Sequence, residues 1–342
     1  HTNEKGGVLG RKLELVVEDD GSKEDVAARI YEKLITQDRV EAILGPYSSP
    51  ITEAVARVSE KHRMPMVAPG AATTSIFKKG RKFVFMTNSP AEVFLEGLID
   101  LAARRGLKTV AILNEDTLFA KATAQGTAEL AKRKGIQVVL AEAYPKGTTD
   151  FTALLGRVRA ANPDVLAAAT YFEDAVAISR QLKDLNVSLK MFGVTIGGGL
   201  PKFYEVLGQT AEFVYGASPW EPELVTLRAG GLIPIARQYP GAKEFVEAHR
   251  KEFPGADLSY HSTPPPAMVH ARSSWTPSDG RVRWTGSGSA TPSSGRTPTP
   301  CTERSRWTRT ASSTHTRRWC CSSGWTAKRS SSGPTSWRRA SR

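Results

Sequence analysis

Two short segments carry the residues best suited to chemistry. Gly45-Pro46-Tyr47-Ser48-Ser49-Pro50 and Pro69-Gly70-Ala71-Ala72-Thr73-Thr74-Ser75 each follow an apolar run and place hydroxyls and small residues in a loop. Ser49 followed by Pro50 reads as the cap and first position of a helix. The unpaired N–H groups and positive dipole at such an end favour a carboxylate or another anion. In the second segment Gly70, Ala71 and Ala72 allow close backbone approach, and Thr73 adds a hydroxyl. Each segment alone also reads as an ordinary cap or turn. Two of them in succession strengthen the anion-site reading. Phe119 and Tyr171 fall just beyond two later apolar runs, where they read either as core aromatics or as ligand contacts.

Other chemistries lack their residues. No G-x-S-x-G elbow and no G-x-x-x-x-G-K-[ST] phosphate loop occurs. Gly197-Gly198-Gly199 lacks dinucleotide spacing and reads as a flexible turn. The six histidines are scattered, and His62 reads as a solvated helix end. No metal ligands, cofactor or catalytic constellation is expected, so an enzyme is the least favoured class.

The elements that must position these loops alternate regularly. Strands are predicted at Leu13–Val17, Val40–Leu44, Met64–Val67, Phe83–Met86, Thr109–Leu113, Gln137–Leu140, Val165–Thr170, Met191–Thr195 and Val214–Ala217. Helices are predicted at Glu24–Ile35, Pro50–His62, Glu92–Arg105, Ala120–Lys134, Phe151–Ala161, Asp174–Leu185 and Ala242–Phe253. Such alternation with short loops predicts α/β architecture: parallel sheets covered by helices on both faces. The number of strands calls for two doubly wound lobes, with ligands at the carboxyl ends of the strands.

Charge divides the chain. The 342 residues carry 47 Lys+Arg and 34 Asp+Glu, for a formal net charge of +13. Residues 263–342 hold 14 basic residues and only Asp279 and Glu303, or +12, which leaves +1 for residues 1–262. That tail contains Cys301, Cys320 and Cys321, six of the seven tryptophans, and no Leu, Ile, Phe or Tyr. It cannot bury a core of its own and is expected to be disordered. Arg interleaved with Trp can bind single-stranded nucleic acid. Against this, a permitted spelling of Trp325–Trp337, read one base earlier, gives a turn, a β-branched strand and a Trp-Pro. A slip of reading frame near residues 262–266 is therefore expected, and nucleic acid is not expected as a partner. No run of 18 apolar residues occurs, which argues against a membrane-spanning helix.

The strings NEKGGVLGRKLELVVEDDGS, EKLITQDRVEAILGPYSSP, KHRMPMVAPGAA and YPKGTTDFTALL resemble substrate-binding proteins of branched-chain amino acid ABC transporters, from about Asn3 to His261. The resemblance implies a type 1 periplasmic binding fold, two lobes joined by a hinge that close on a small ligand. It implies lobe 1 at 1–91, lobe 2 at 92–218, a return towards lobe 1 at 219–262 and the out-of-frame tail at 263–342. It implies Ser49, Gly70, Ala71 and Ala72 at the ligand carboxylate, with Thr73 there if the register shifts by one, Phe119 as an aromatic contact and Tyr171 helping to hold the amino group. Thr195 occupies the position of the acid that pairs with a ligand ammonium, and Gly193 to Gly197 contains no acid. An ammonium buried without a counter-charge is costly. A carboxylate, amide or aromatic acid therefore stays open beside an amino acid, and Glu173 or Asp174 stands near as a substitute.

The expected function is a solute-binding protein with a small-molecule ligand and a membrane permease as partners, monomeric and extracytoplasmic. A ligand-sensing module of a receptor or regulator is the alternative. The resemblance also implies that a first strand, most of a first helix and a secretory signal are missing ahead of His1. The first lobe is then incomplete, and poor stability is expected.

Overall fold

The structure is a computed structural model describing residues 2–222, 242–256 and 258, with the strand segments 308–309, 315–316, 325–328 and 336–339. Residues 14–272 form one unit, and residues 1–13 with 273–342 form another.

The larger unit contains two parallel sheets. The first is built from α1 (Glu24–Thr36), β1 (Ile43–Leu44), α2 (Ser49–His62), β2 (Met66–Ala68), α3 (Ser75–Lys78) and β3 (Val84–Met86). Its strands run in the order β1-β2-β3, with Ile43 opposite Met66 and Met66 opposite Val84. The apolar positions of α1 and α2 recur three or four residues apart, so each helix shows one oily stripe. Ala27, Ile51, Val55 and Ala56 meet Met66, Ala68, Ile76 and Val84 in one buried cluster. Arg63 ends α2 in the left-handed region (φ 51°), and Met64 N–H returns to the Ser59 carbonyl. His62 is not a solvated end: its Nε2 lies 2.7 Å from Glu32 Oε1 on α1.

The predicted strand Leu13–Val17 does not form. Residues 12–20 have no regular structure, and Leu15 and Val17 are 78% and 83% exposed. A strand exists only through the ladder it shares with a neighbour. Among the described residues none pairs with this segment, so its alternating pattern has no sheet to join.

A 3-10 turn at Ala91–Val93 leads into the second sheet. It comprises α4 (Glu96–Arg104), β4 (Thr109–Glu115), α5 (Leu118–Arg133), β5 (Gln137–Tyr144), α6 (Thr152–Ala161), β6 (Val165–Ala169), α7 (Phe172–Asp184), β7 (Met191–Val194), α8 (Pro201–Leu207) and β8 (Val214–Gly216). All neighbours are parallel in the order β5-β4-β6-β7-β8. The two faces sort by the twofold period of the strands. Ala111 and Leu113 pack with Leu155, Val158, Ile178 and Leu182 of α6 and α7. Val110 and Ile112 pack with Ile99, Ala102, Leu130 and Ala131 of α4 and α5. Central β6 is buried throughout, as the unbroken apolar run Val165–Ala169 requires. The expected fold class, parallel sheets with helices on both faces, is the one observed.

Three features depart from the sequence reading. The predicted helix Glu92–Arg105 is interrupted, with a 3-10 turn before α4. Strands β4 and β5 run on to Glu115 and Tyr144, because their ladder continues past the apolar residues that mark them in the sequence. The short helices α3 and α8 carry too few turns to show a helical period.

A last helix, α9 (Ala242–Glu252), packs Phe245 and Val246 with Trp220 and Leu258. Residues 223–241 of the expected return segment lie outside the described residues. So does most of the expected disordered tail. Within the tail, Thr308–Arg309 pairs antiparallel with His315–Thr316, and Trp325–Lys328 with Ser336–Arg339.

Candidate ligand cleft

The loops after β1 and β2 lie side by side. A Cβ added at Gly70 would stand 2.6 Å from the Tyr47 carbonyl oxygen and 2.9 Å from Tyr47 Cα, so only glycine permits this approach. Asn88 Nδ2 donates to the Gly70 carbonyl at 2.9 Å, and Ala91 N–H donates to the Ala72 carbonyl at 2.8 Å. These bonds anchor the Gly70–Thr73 loop to the segment leading into the second sheet.

Ser48, not Ser49, is the cap residue of α2: its Oγ lies 3.5 Å from Ile51 N, and Ser49 is the first helical residue. The shift has a chemical consequence. With Ser48 at the cap, the Ser49 hydroxyl is free to accept the N–H groups of Ala72 and Thr73, at 3.2 and 3.3 Å. Ser49 and Thr73 are each 2% exposed, and Thr73 Oγ1 is buried without a hydrogen-bond partner. The Ala72 and Thr73 amides are spent on Ser49, so the hydroxyls of Ser49 and Thr73 are the donors left for a carboxylate beside this helix N-terminus. Ala71 turns its side chain into the core of the first sheet and so supplies only backbone to the loop.

The aromatic wall comes from the other sheet. Phe119, near the start of α5, and Tyr171, just before α7, stand with their ring centres 5.7 Å apart. Phe94 packs edge-on to Phe119 at 5.2 Å. These rings join Ala72, Ala91, Ala122 and Ile196 in one apolar cluster. Ala72, Phe119, Tyr171 and Ile196, which follow β2, β4, β6 and β7, thus converge in one cluster at the carboxyl ends of the strands.

Thr195 has a different environment. Its Oγ1 donates to the Thr170 carbonyl at 2.7 Å and accepts the Thr170 N–H at 2.8 Å. Both capacities of the hydroxyl are used by backbone, and the residue is fully buried. The structure brings Ala72, Phe119 and Tyr171 into one apolar cluster and joins Ser49 to Ala72 and Thr73, with Gly70 and Ala71 in the same loop. It places the eighth, Thr195, behind as a brace between the ends of β6 and β7.

Sequence reasoning named Asp174 as a candidate but missed Glu115 and Tyr144 beside it. Glu115 ends β4 opposite Tyr144 of β5, and Tyr144 Oη donates to Asp174 Oδ2 at 3.0 Å. Asp174 also accepts the Tyr171 N–H, at 3.4 Å, in a capping box at the start of α7. Burial pushes the Tyr171 phenol up, and the nearby Tyr47, Glu115 and Asp174 push it further. Burial likewise raises the Glu115 carboxyl, with the Asp174 charge adding to it. The only sequence signal was polar Asn114-Glu115-Asp116 directly after an apolar strand, which also reads as the start of a loop.

Among the described residues no three His, Cys, Asp or Glu gather as a metal site. Among them, too, no helix is long and apolar enough to cross a membrane. An open concavity bordered by Ala128, Lys132, Ile136 and Val138 lies at the amino end of β5, away from the cleft.

Known proteins resemble this chain in sequence and fold. The Leu/Ile/Val-binding protein homolog 7 of Brucella melitensis is 27% identical over 273 residues, covering 76% of this chain and 65% of its own length. The chain thus spans about two thirds of that relative. The crystal structure of the leucine-binding protein LivK of Thermotoga maritima superposes with a TM-score of 0.69 at 24% identity, covering 79% of this chain and 73% of that one. LivJ of Streptococcus pneumoniae, solved in complex with isoleucine, superposes at 0.63 and 21% identity over 79% and 73% of the two chains. The family model of the periplasmic binding proteins matches residues 1–264, and the chain belongs to that family.

Proposed function

We propose that the protein is the solute-binding component of an ABC importer, taking a branched-chain or other hydrophobic amino acid or a related small carboxylate or amide. One observation carries the reading: the Ser49 and Thr73 hydroxyls adjoin Ala72, which lies in the same apolar cluster as Phe119 and Tyr171. The first element matches a carboxylate and the second an apolar side chain, so together they fit a small amphiphilic acid. The names of the similar proteins support the same class.

In this reading the first lobe holds the anionic group and the second brings the aromatic rings over it. Closure shifts an open–closed equilibrium that a membrane permease reads. The protein works outside the cytoplasm as a monomer, without a cofactor, metal or nucleic acid. Gly70, Ala71 and Ala72 contribute backbone, and Thr195 supports the wall. Titration calorimetry with L-leucine, L-isoleucine, L-valine and benzoate tests it. Saturable one-to-one binding of at least one, weakened by Ser49→Ala, is expected. A panel in which none binds overturns the reading.

A further inference from the structure

Cations concentrate at the amino end of the second sheet, opposite the cleft. Helices α4 and α5 end there in two similar turns, Arg104-Arg105-Gly106-Leu107-Lys108 and Lys132-Arg133-Lys134-Gly135-Ile136. Gly106 (φ 73°) and Gly135 (φ 71°) close the helices in the left-handed region, and the chain passes straight into β4 and β5. The two turns are neighbours. Gln137 N–H donates to the Lys108 carbonyl at 2.8 Å, and Lys134 Nζ lies 2.7 Å from Asp100 of α4. All six basic residues of the two turns are exposed.

A cation in the last turn of a helix complements its dipole. Helices α6 and α7 carry one each there, Arg159 and Lys183. The dipole does not account for Lys108, which lies past the helix and directly before β4, nor for three cations at each of two adjacent turns. The nearby carboxylates are already engaged. Asp100 pairs with Lys134, and Asp164 pairs with Lys190 and accepts the Lys108 and Thr109 amides. Glu129 accepts from Gln125, and Glu96 stands near Asp100, Arg133 and Lys134. These four acids face the six basic residues of the turns and Lys190, so positive charge is in excess. Arg105 reaches the Tyr215 hydroxyl at 3.3 Å, while Arg104, Lys108, Lys132 and Arg133 make no ion pair among the described residues.

We propose that this face docks the protein on an anionic lipid surface, with phosphate headgroups paired to Arg104, Lys108, Lys132 and Arg133. Each cation brought to such a surface is worth about fivefold in affinity, so four together hold where one does not. Phosphate suits the guanidinium forks of the two arginines and the point charges of the two lysines. The open concavity bordered by Ala128, Ile136 and Val138 adjoins Lys132 and offers apolar surface to the glycerol carbons below a headgroup, with Glu129 on its rim. Neither turn contains an aromatic residue, so the stacking that holds single-stranded nucleic acid is missing and lipid is the better fit. The cleft lies at the carboxyl ends of the strands and this face at their amino ends. Docking therefore leaves the cleft open to solute. The inference goes beyond the solute-binding reading and does not depend on it.

The test reads position as well as binding, because residues 263–342 carry a net charge of +12 and can themselves hold the chain on an anionic surface. The whole 342-residue chain is mixed with phosphatidylcholine vesicles, plain or containing about one third phosphatidylglycerol, and its lysines are acylated and mapped by mass spectrometry. Acylation of Lys108 and Lys132 should slow at least about fivefold on the anionic vesicles alone, while the exposed Lys146 and Lys202 keep their rates. Added salt should reverse the protection. Replacing Arg104, Lys108, Lys132 and Arg133 together by Gln should lower vesicle affinity about tenfold or more, with the thermal midpoint unchanged. Should that variant fail to fold, the wild-type lysine map decides. Protection spread equally over Lys146 and Lys202, or absent from Lys108 and Lys132, overturns the inference and leaves the solute-binding reading standing. Protection of the patch by a DNA duplex and not by vesicles overturns it in favour of nucleic acid.

Discussion

The Thr195 hydroxyl bridges the backbone of Thr170, donating to its carbonyl at 2.7 Å and accepting its N–H at 2.8 Å. This pair ties β6 to β7 where their ladder ends, directly behind Tyr171. Thr195→Val keeps the shape and deletes both bonds, leaving a buried N–H and carbonyl unpaired. The expected cost is about 1–3 kcal/mol, read as a lower urea midpoint, while Thr195→Ser retains most of the stability.

Ser49 connects the two loops of the first lobe. Ser49→Ala removes the acceptor shared by the Ala72 and Thr73 amides. Carboxylate affinity measured by calorimetry should fall about tenfold or more, equivalent to about 1.4 kcal/mol. Ser48→Ala should act on α2 instead, costing about 1 kcal/mol of stability with little change in affinity.

Gly70→Ala places a methyl group against the Tyr47 backbone, which cannot rotate away. The two loops must separate. A loss of about 1–3 kcal/mol in stability, with loss of ligand-induced thermal stabilisation, is expected in a thermal melt.

Glu53 is held by Arg81 in a two-pronged contact at 2.7 and 2.8 Å and by Lys79 at 2.9 Å. Burial alone would raise this carboxyl, but the bonds and charges of Arg81 and Lys79 outweigh it and bring it down to about 2. A depressed carboxyl contributes stability that is complete above its ordinary value of 4.5. That contribution is lost as pH falls through about 2. Acid unfolding of Arg81→Met should therefore depend less on pH across this window than that of the wild type.

Much of the fold was legible because burial repeats locally. Val165–Ala169 shows an unbroken apolar run, and α2 and α5 show apolar stripes, so their strand or helix character is set within a few turns of chain. The segment Leu13–Val17 has an equally good pattern and forms no strand, because pairing depends on a neighbour. The cap at Ser48 was misplaced by one residue since Ser48 and Ser49 are both good caps, and only the Ala72–Thr73 loop distinguishes them.

The sequence by itself determined the alternation of strands and helices, and hence the parallel α/β class and the loops at which a ligand would sit. These follow from periodicity and turn chemistry, which act over short stretches of chain. Tertiary structure alone decided which polar atoms meet. It committed Thr195 to Thr170, freed Ser49 for Ala72 and Thr73, and set the Tyr144 hydroxyl against Asp174. Hydrogen bonds between residues 23 to 30 positions apart are fixed by strand register and packing, and no local pattern encodes them.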